Sequence, residues 1–232
     1  MSSSNTNATV VVVHGAWADG SSWSRVISPL LASGVEVIAA PLPLTSLSDD
    51  IKALDRALER IQGSIVLAAH AYAGAVIAGS TNERVKGLVF VAALAPDEGE
   101  TVADVFYRAP PHPQAPQLAP DAHGLIWMPD EGFSSAFAPN STAEQASLFA
   151  AVQRPISVAC IQEKAPKPAW KSKPSWFLIA EEDRMINHET QHFMAARMGA
   201  QIRSHKVDHT PLATAPEKVI DVIREAIATA AG

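Results

Sequence analysis

The chain has 232 residues, of which 47% are hydrophobic and 18% charged, and its formal net charge is -6. This composition is typical of a globular domain and not of a disordered chain. The net negative charge does not favour binding to the negatively charged backbone of DNA or RNA. The only cysteine, Cys160, excludes an internal disulfide and a cysteine-based zinc site.

Strand-like and helix-like segments alternate along the first hundred residues. Short apolar runs rich in β-branched residues predict buried parallel strands. Segments with 3.6-residue apolar spacing predict helices, the first of them capped by Ser21 or Ser22 and the second opening at Ser48. We expect strands at residues 10–13, 35–39, 64–68 and 85–93, and helices at residues 23–32, 48–61 and 72–79.

Regular patterning stops after Asp97 and returns near Ser175. Residues 97–170 are rich in proline but contain apolar side chains, which favours a cap packed over a site rather than a linker. Residues 1–96 and 171–232 would form the core. The later part of the core is predicted to hold strands at 175–180 and 201–207 and helices at 188–198 and 216–230. This alternation predicts an α/β fold, with about six mainly parallel strands and helices on both faces.

The segment from Leu67 to Gly74 joins a predicted strand to a predicted helix. Compared with the G-x-S-x-G nucleophile elbow, Ala69 and Ala73 take the glycine positions and Ala71 takes the serine position. Small residues suit the sharp turn, but a methyl group cannot attack a carbonyl. An ordinary buried strand-turn-helix is the alternative.

Two further residues follow predicted strands at the same edge of the sheet. Asp183 comes after the strand that ends at Ala180, and His209 comes after the strand that ends at Val207. Nucleophile, acid and histidine occur in this order along an α/β-hydrolase triad. Taken alone, His209 is better explained as a surface-loop histidine and Asp183 as a carboxylate at the approach to a helix, but together they predict a catalytic pair beside Ala71.

The loop after the first strand, His14-Gly15-Ala16-Trp17, supplies a candidate oxyanion site. In this fold the backbone N–H groups of that loop and of the residue after the nucleophile bind the developing oxyanion. The donors here would be Ala16 and Tyr72. Alternatively, Gly15 only permits a turn and Trp17 packs in the core.

With these residues in place, nearly the whole chain resembles the α/β-hydrolase superfamily. It is most similar to the small bacterial esterase-like branch related to plant methyl esterases and hydroxynitrile lyases. The resemblance rests on residues 11–17, 70–74 and 168–186, and on His209 with Pro216 and Glu217. It implies a serine triad that acts on small esters without a cofactor, with Asp183 as the acid and His209 as the base. The departure is at Ala71, where the family has serine.

Three interpretations of Ala71 remain open. It could be an engineered change in an ordinary esterase, or a natural residue in an enzyme whose His209 acts as a general base on water or a substrate proton. In the third interpretation the protein is catalytically silent and binds a ligand under its cap. Cys160 and the serines at 21 and 22 are poor replacement nucleophiles, since they are expected in a buried position and at a helix start.

Other expectations concern the surroundings of the site. Trp17, Trp127, Met128 and Phe133 are candidate substrate-binding residues, although packing in the core or the cap would explain them equally. His70 is expected to pack beneath the elbow, and the remaining histidines lack metal-ligand spacing. We expect no cofactor or metal, a small-molecule substrate, no nucleic acid partner and no membrane partner, and a homodimer is left open. The polar start, residues 1–8, lacks a signal-peptide pattern, so a cytoplasmic location is expected.

Overall fold

The computed structural model describes residues 8–230, so most of the polar start, residues 1–7, lies outside the described residues. A six-stranded parallel sheet in the order β2-β1-β3-β4-β7-β8 forms the centre. Its strands are β1 (Thr9–Val13), β2 (Val37–Ala40), β3 (Ile65–His70), β4 (Val85–Val91), β7 (Ser175–Ala180) and β8 (Gln201–His205). The predicted α/β fold with about six strands is therefore confirmed, and the observed strand ends differ from the predicted ones by a few residues.

Helices cover both faces of this sheet. They are α1 (Ser24–Ala32), α2 (Leu47–Leu58), α3 (Ala73–Gly79), α8 (His188–Arg197), α9 (Pro211–Thr214) and α10 (Pro216–Ala230). Alternate residues of β1 show the two faces: Val10 and Val12 belong to the apolar cluster that contains α1 and α10, whereas Val11 and Val13 belong to the cluster that contains α2, α3 and α8. A strand buried on both faces needs apolar residues at every position, which explains the unbroken valine run.

Two helix starts differ from the sequence expectation. Asp19, not Ser21 or Ser22, caps the first helical segment, a 3-10 turn over Gly20–Trp23 that leads into α1. Its carboxylate accepts hydrogen bonds from both the backbone N–H and the hydroxyl of Ser21. Helix α2 is capped by Ser46, whose hydroxyl accepts from Asp49 N. In both cases the cap is an oxygen-bearing side chain, so sequence pattern identifies the residue type but not the position.

The segment predicted as a cap, residues 97–170, leaves the sheet after β4 and returns to it at β7. It contains short elements: α4 (Val102–Phe106), β5 (Leu125–Ile126), α5 (Asp130–Gly132), a π-helical turn (Phe133–Phe137), α6 (Ala143–Val152), β6 (Ile156–Ser157) and α7 (Val158–Gln162). Strands β5 and β6 pair antiparallel to each other and form a sheet separate from the central one. Within residues 8–230, no helix has the length and apolar character that crossing a bilayer requires.

Helix α3 approaches the chain after β4 so closely that residue 74 must lack a side chain. A Cβ on Gly74 would lie 2.4 Å from the carbonyl oxygen of Leu94 and 2.9 Å from Cβ of Ala93. By contrast, Gly199 ends α8 with φ +62 and has open space around it. The first glycine is required by packing, and the second only by backbone conformation.

We predict that Gly74→Ala lowers the free energy of unfolding by about 2–3 kcal/mol, because backbone must move to admit the methyl group. The matched variant Gly199→Ala should cost only about 1 kcal/mol, since it meets no neighbouring atom and incurs the left-handed backbone penalty alone. Urea unfolding of both variants measures the difference. Equal losses would contradict the close approach of α3.

Candidate active site

Ala71 lies at the turn between β3 and α3 and has φ +50, a left-handed conformation that a residue with a side chain rarely adopts. Its carbonyl oxygen accepts hydrogen bonds from Gly74 N at 3.1 Å and Leu94 N at 2.9 Å. Gly15 packs directly against the turn: a Cβ there would lie 3.1 Å from Cβ of Ala71. The strained backbone of a nucleophile elbow is thus present, with a methyl group at its apex.

Asp183 and His209 meet beside this turn. His209 Nδ1 lies 2.9 Å from Asp183 Oδ2, and both side chains are almost fully buried. The other carboxylate oxygen of Asp183 accepts from Met185 N at 2.7 Å and Ile186 N at 2.8 Å, and Oδ2 also accepts from Gln191 Nε2 at 2.8 Å. With four donors, the carboxylate is satisfied and fixed in place, as a buried charge must be.

This hydrogen bond determines the tautomer of neutral His209. A carboxylate can only accept, so Nδ1 carries the proton and Nε2 carries the free lone pair. Nε2 has no hydrogen-bond partner among the described residues, and His209 lines the same pocket as Ala71. The hydrogen bond to Asp183 therefore fixes the ring of a pocket-lining histidine and leaves its Nε2 unpartnered.

His70 supports the backbone of His209 from below, as expected of a packed histidine. Its Nε2 donates to the carbonyl oxygen of His209 at 2.7 Å, and the two ring centroids are 4.7 Å apart. Burial holds the pKa of His70 well below its ordinary value, and the neighbouring His209 lowers it further. A neutral His70 does not place a second positive charge beside the base.

The loop that carries His209 is also tied to the cap. Asp208 accepts from Asn140 N at 2.9 Å, and the hydroxyl of Thr210 donates to the carbonyl oxygen of Phe137 at 2.5 Å. The ring of Phe137 lies 5.4 Å from that of His209, edge to face. These contacts shield one side of the imidazole from water.

The predicted oxyanion donors, Ala16 and Tyr72, both line the pocket. Within the described part of the chain, neither backbone N–H donates a hydrogen bond to another protein group. Trp17, which follows Ala16, has φ +57. Two hydrogen bonds join it to the cap: its backbone N–H donates to Arg154 O and its indole Nε1–H donates to Ile126 O, each at 3.0 Å. Trp17 therefore lines the pocket and also joins the oxyanion loop to the cap.

The pocket in front of these groups has about 680 Å³ of unfilled space, including the part open to solvent. Apart from His209, no lining residue among those described is of a charged type. Half of the lining residues come from the cap, and nearly all of these are apolar, among them Val102, Phe106, Leu118, Ile126, Ile156 and Ile161. Such a wall favours an apolar ligand that presents few polar groups.

Three of the four predicted substrate-binding residues lie elsewhere, which corrects that expectation. Trp127 follows Ile126, which faces the pocket, and it points outward with 48% of its surface exposed. Met128 is buried against the turn at Gly132, and Phe133 packs on Phe137 with ring centroids 5.3 Å apart. Only Trp17 of the four lines the pocket.

A buried polar cluster beneath the elbow was not predicted. Asp50, on α2, is fully buried and accepts from Tyr72 Oη and Leu44 N, each at 2.7 Å. Cys160, on α7, places its sulfur 3.7 Å from the same carboxylate. Burial raises the pKa of the Cys160 thiol to about 12, so this residue is an inert packing group, as the sequence indicated. Within the described residues, no group of three or more histidine, cysteine, aspartate or glutamate side chains is arranged to hold a metal ion.

Comparisons with known proteins bear on the family and the fold of the chain. The sequence model of the alpha/beta hydrolase family matches residues 10–222. A search of curated proteins finds no significant sequence match.

Solved structures provide several similar folds. A polyneuridine aldehyde esterase is similar with a TM-score of 0.82 and 17% identity, over 94% of this chain and 98% of that one. A methylesterase from Arabidopsis has a TM-score of 0.77 and 16% identity, over 95% and 99% of the two chains. A pyrethroid hydrolase from Sphingobium faniae also has a TM-score of 0.77, with 19% identity over 94% and 96%. At these identities the similarity concerns the fold.

We predict that Cys160 resists a thiol reagent such as dithionitrobenzoate in the native protein. With a pKa of about 12, only about one thiol in ten thousand is ionised at about pH 8, and the side chain is fully buried. Stoichiometric labelling should appear only after unfolding in guanidinium, and absorbance at 412 nm measures both states. Rapid labelling of the native protein would contradict the placement of Cys160 beneath the elbow.

Proposed function

Because this chain belongs to the alpha/beta hydrolase family, we propose that it is an enzyme in which His209 acts as a general base on a small, largely apolar ester or carbonyl compound. No cofactor takes part in this proposal. The observation that carries it is the buried 2.9 Å hydrogen bond between Asp183 and His209, which leaves Nε2 of this pocket-lining histidine without a partner. A general base can act only when its lone pair is within hydrogen-bonding reach of the proton that it removes.

The proposed reaction differs from that of a serine esterase at one step. Without a hydroxyl at residue 71, no acyl-enzyme forms there. Instead Nε2 of His209 takes a proton from a bound water or from the substrate itself, and Asp183 stabilises the resulting imidazolium. The N–H groups of Ala16 and Tyr72 donate hydrogen bonds to the carbonyl oxygen and stabilise the negative charge that develops on it.

The pocket supports the proposed substrate class. Its apolar walls suit a hydrocarbon substituent, and the two unpaired N–H groups suit one carbonyl oxygen. The neighbouring structures include proteins described as esterases and a pyrethroid hydrolase, which is consistent with ester or carbonyl chemistry here. A small-molecule substrate and a cytoplasmic location complete the proposal.

The methyl group of Ala71 favours a second candidate function, silent ligand binding. Loss of the nucleophile from a working triad costs about a million-fold in rate. A protein that had lost catalysis could still hold an apolar ligand beneath the cap. The intact hydrogen bond between Asp183 and His209 favours the enzyme, because binding alone does not require an oriented base.

We predict that Ala71→Ser raises the turnover of p-nitrophenyl butyrate at least about 1000-fold, because the hydroxyl would meet an oriented base and an oxyanion site. Release of p-nitrophenol should show an initial burst as the acyl-enzyme forms. The unaltered chain should hydrolyse the ester slowly, and His209→Ala should lower that slow rate at least about 100-fold.

His123→Ala, a change at an exposed histidine outside the pocket, serves as the control. A slow rate that survives His209→Ala would contradict the proposed base. If only Ala71→Ser hydrolyses the ester, and the unaltered chain is inactive but still binds an apolar ligand, the result would favour silent ligand binding.

A further inference from the structure

The absence of a hydroxyl at residue 71 changes what His209 can reach. In the described structure the only side-chain atom at the elbow apex is Cβ of Ala71, and Nε2 of His209 has no protein partner. The space that a serine oxygen would fill is therefore open to an atom of the substrate. A base that has no internal proton to remove acts on whatever acidic hydrogen the ligand brings to it.

The pocket wall offers little to hold an attacking water. The indole N–H of Trp17 is already donated to Ile126 O, and the hydroxyl of Tyr72 is donated to Asp50. Tyr107 is largely exposed, and the other lining side chains, apart from His209, are apolar. A well-ordered buried water makes about three hydrogen bonds, and besides His209 the described side chains supply almost none.

The two backbone donors do not distinguish between the kinds of oxyanion they bind. The N–H groups of Ala16 and Tyr72 would stabilise negative charge on a carbonyl oxygen in a tetrahedral adduct or in an enolate equally. An enolate needs only a base near the carbon next to that carbonyl. His209 and these donors line one pocket, so a single ligand can contact all three residues.

We infer that this site removes a proton from the carbon next to the carbonyl group of an apolar ketone or ester and forms an enolate. The inference rests on the proposed role of His209 as a base and names the bond on which it acts. The C–H bond breaks, its proton binds Nε2, its electron pair forms the C=C bond, and the C=O electron pair moves to the oxygen held by Ala16 and Tyr72. Return of a solvent-derived proton or deuteron from Nε2 to the carbon completes the cycle, so no oxidant or second reactant is needed.

Hydrogen–deuterium exchange tests this inference directly. The probe is 1-phenylpropan-2-one, an apolar ketone with benzylic hydrogens next to its carbonyl, dissolved in D₂O with the full-length chain. Proton NMR follows the loss of the benzylic signal. We expect exchange above the buffer rate, a loss of at least about 100-fold of the catalysed rate in His209→Ala, and no change in His123→Ala.

Ala71→Ser supplies a second and minimal variant, which guards against misfolding of His209→Ala. The new hydroxyl would donate its hydrogen bond to Nε2, so ketone exchange should fall while p-nitrophenyl butyrate hydrolysis rises. If His209 serves both reactions, Ala71→Ser should slow ketone exchange and accelerate ester hydrolysis. A purely structural effect of the substitution would change both rates in the same direction.

The outcomes separate this inference from the proposed function. Ester hydrolysis that depends on His209, without ketone exchange, would overturn the inference and leave the general base in place. Exchange that is equal in the native chain, His209→Ala and Ala71→Ser would also overturn it. If the native chain catalyses neither reaction, both the inference and the proposed function are wrong.

Discussion

The hydrogen bond between His209 Nδ1 and Asp183 Oδ2 is the interaction on which the site depends. It joins two loops separated by 26 residues and fixes which imidazole nitrogen carries the lone pair. Asp183 can serve as a buried acceptor because Gln191 and two backbone N–H groups donate hydrogen bonds to its carboxylate oxygens as well. His70 holds the His209 backbone from the opposite side. The imidazole of His209 is therefore oriented by the core of the protein before any ligand enters.

The turn at Ala71 keeps its strained form although it carries no nucleophile. A left-handed alanine costs about 1–2 kcal/mol, and here Gly74 and Leu94 hold the turn through hydrogen bonds to the Ala71 carbonyl oxygen. The same turn carries the unpaired N–H of Tyr72, and both Tyr72 and Ala16 line the pocket. Backbone geometry and remote contacts hold the proposed oxyanion donors and the proposed base, so neither depends on a hydroxyl at residue 71. What changes is the atom that the base can reach.

Much of this arrangement could be predicted from sequence because it depends on local patterns. The valine run of β1, the small residues around Ala71, and the polar residues after β7 and β8 each indicate one strand end, and parallel strands bring those ends to one edge. Residues that depend on tertiary packing could not be predicted. In the sequence, Asp50 and Gln191 are indistinguishable from exposed polar residues of a helix, although the structure buries both. Trp127 and Phe133 were predicted in the pocket because large apolar residues in a cap give no signal of the direction in which they point. The choice of Asp19 over Ser21 as a helix cap likewise depends on where a 3-10 turn begins.

The protonation of His209 provides the most direct test of this account. Nitrogen-15 NMR of the labelled protein distinguishes the two neutral tautomers of an imidazole. The account predicts that His209 is protonated at Nδ1, with that proton in the low-field hydrogen bond to Asp183, and that Nε2 shows the shift of an unprotonated nitrogen. A proton on Nε2, or no bonded proton between His209 and Asp183, would contradict the presence of an oriented base in this pocket.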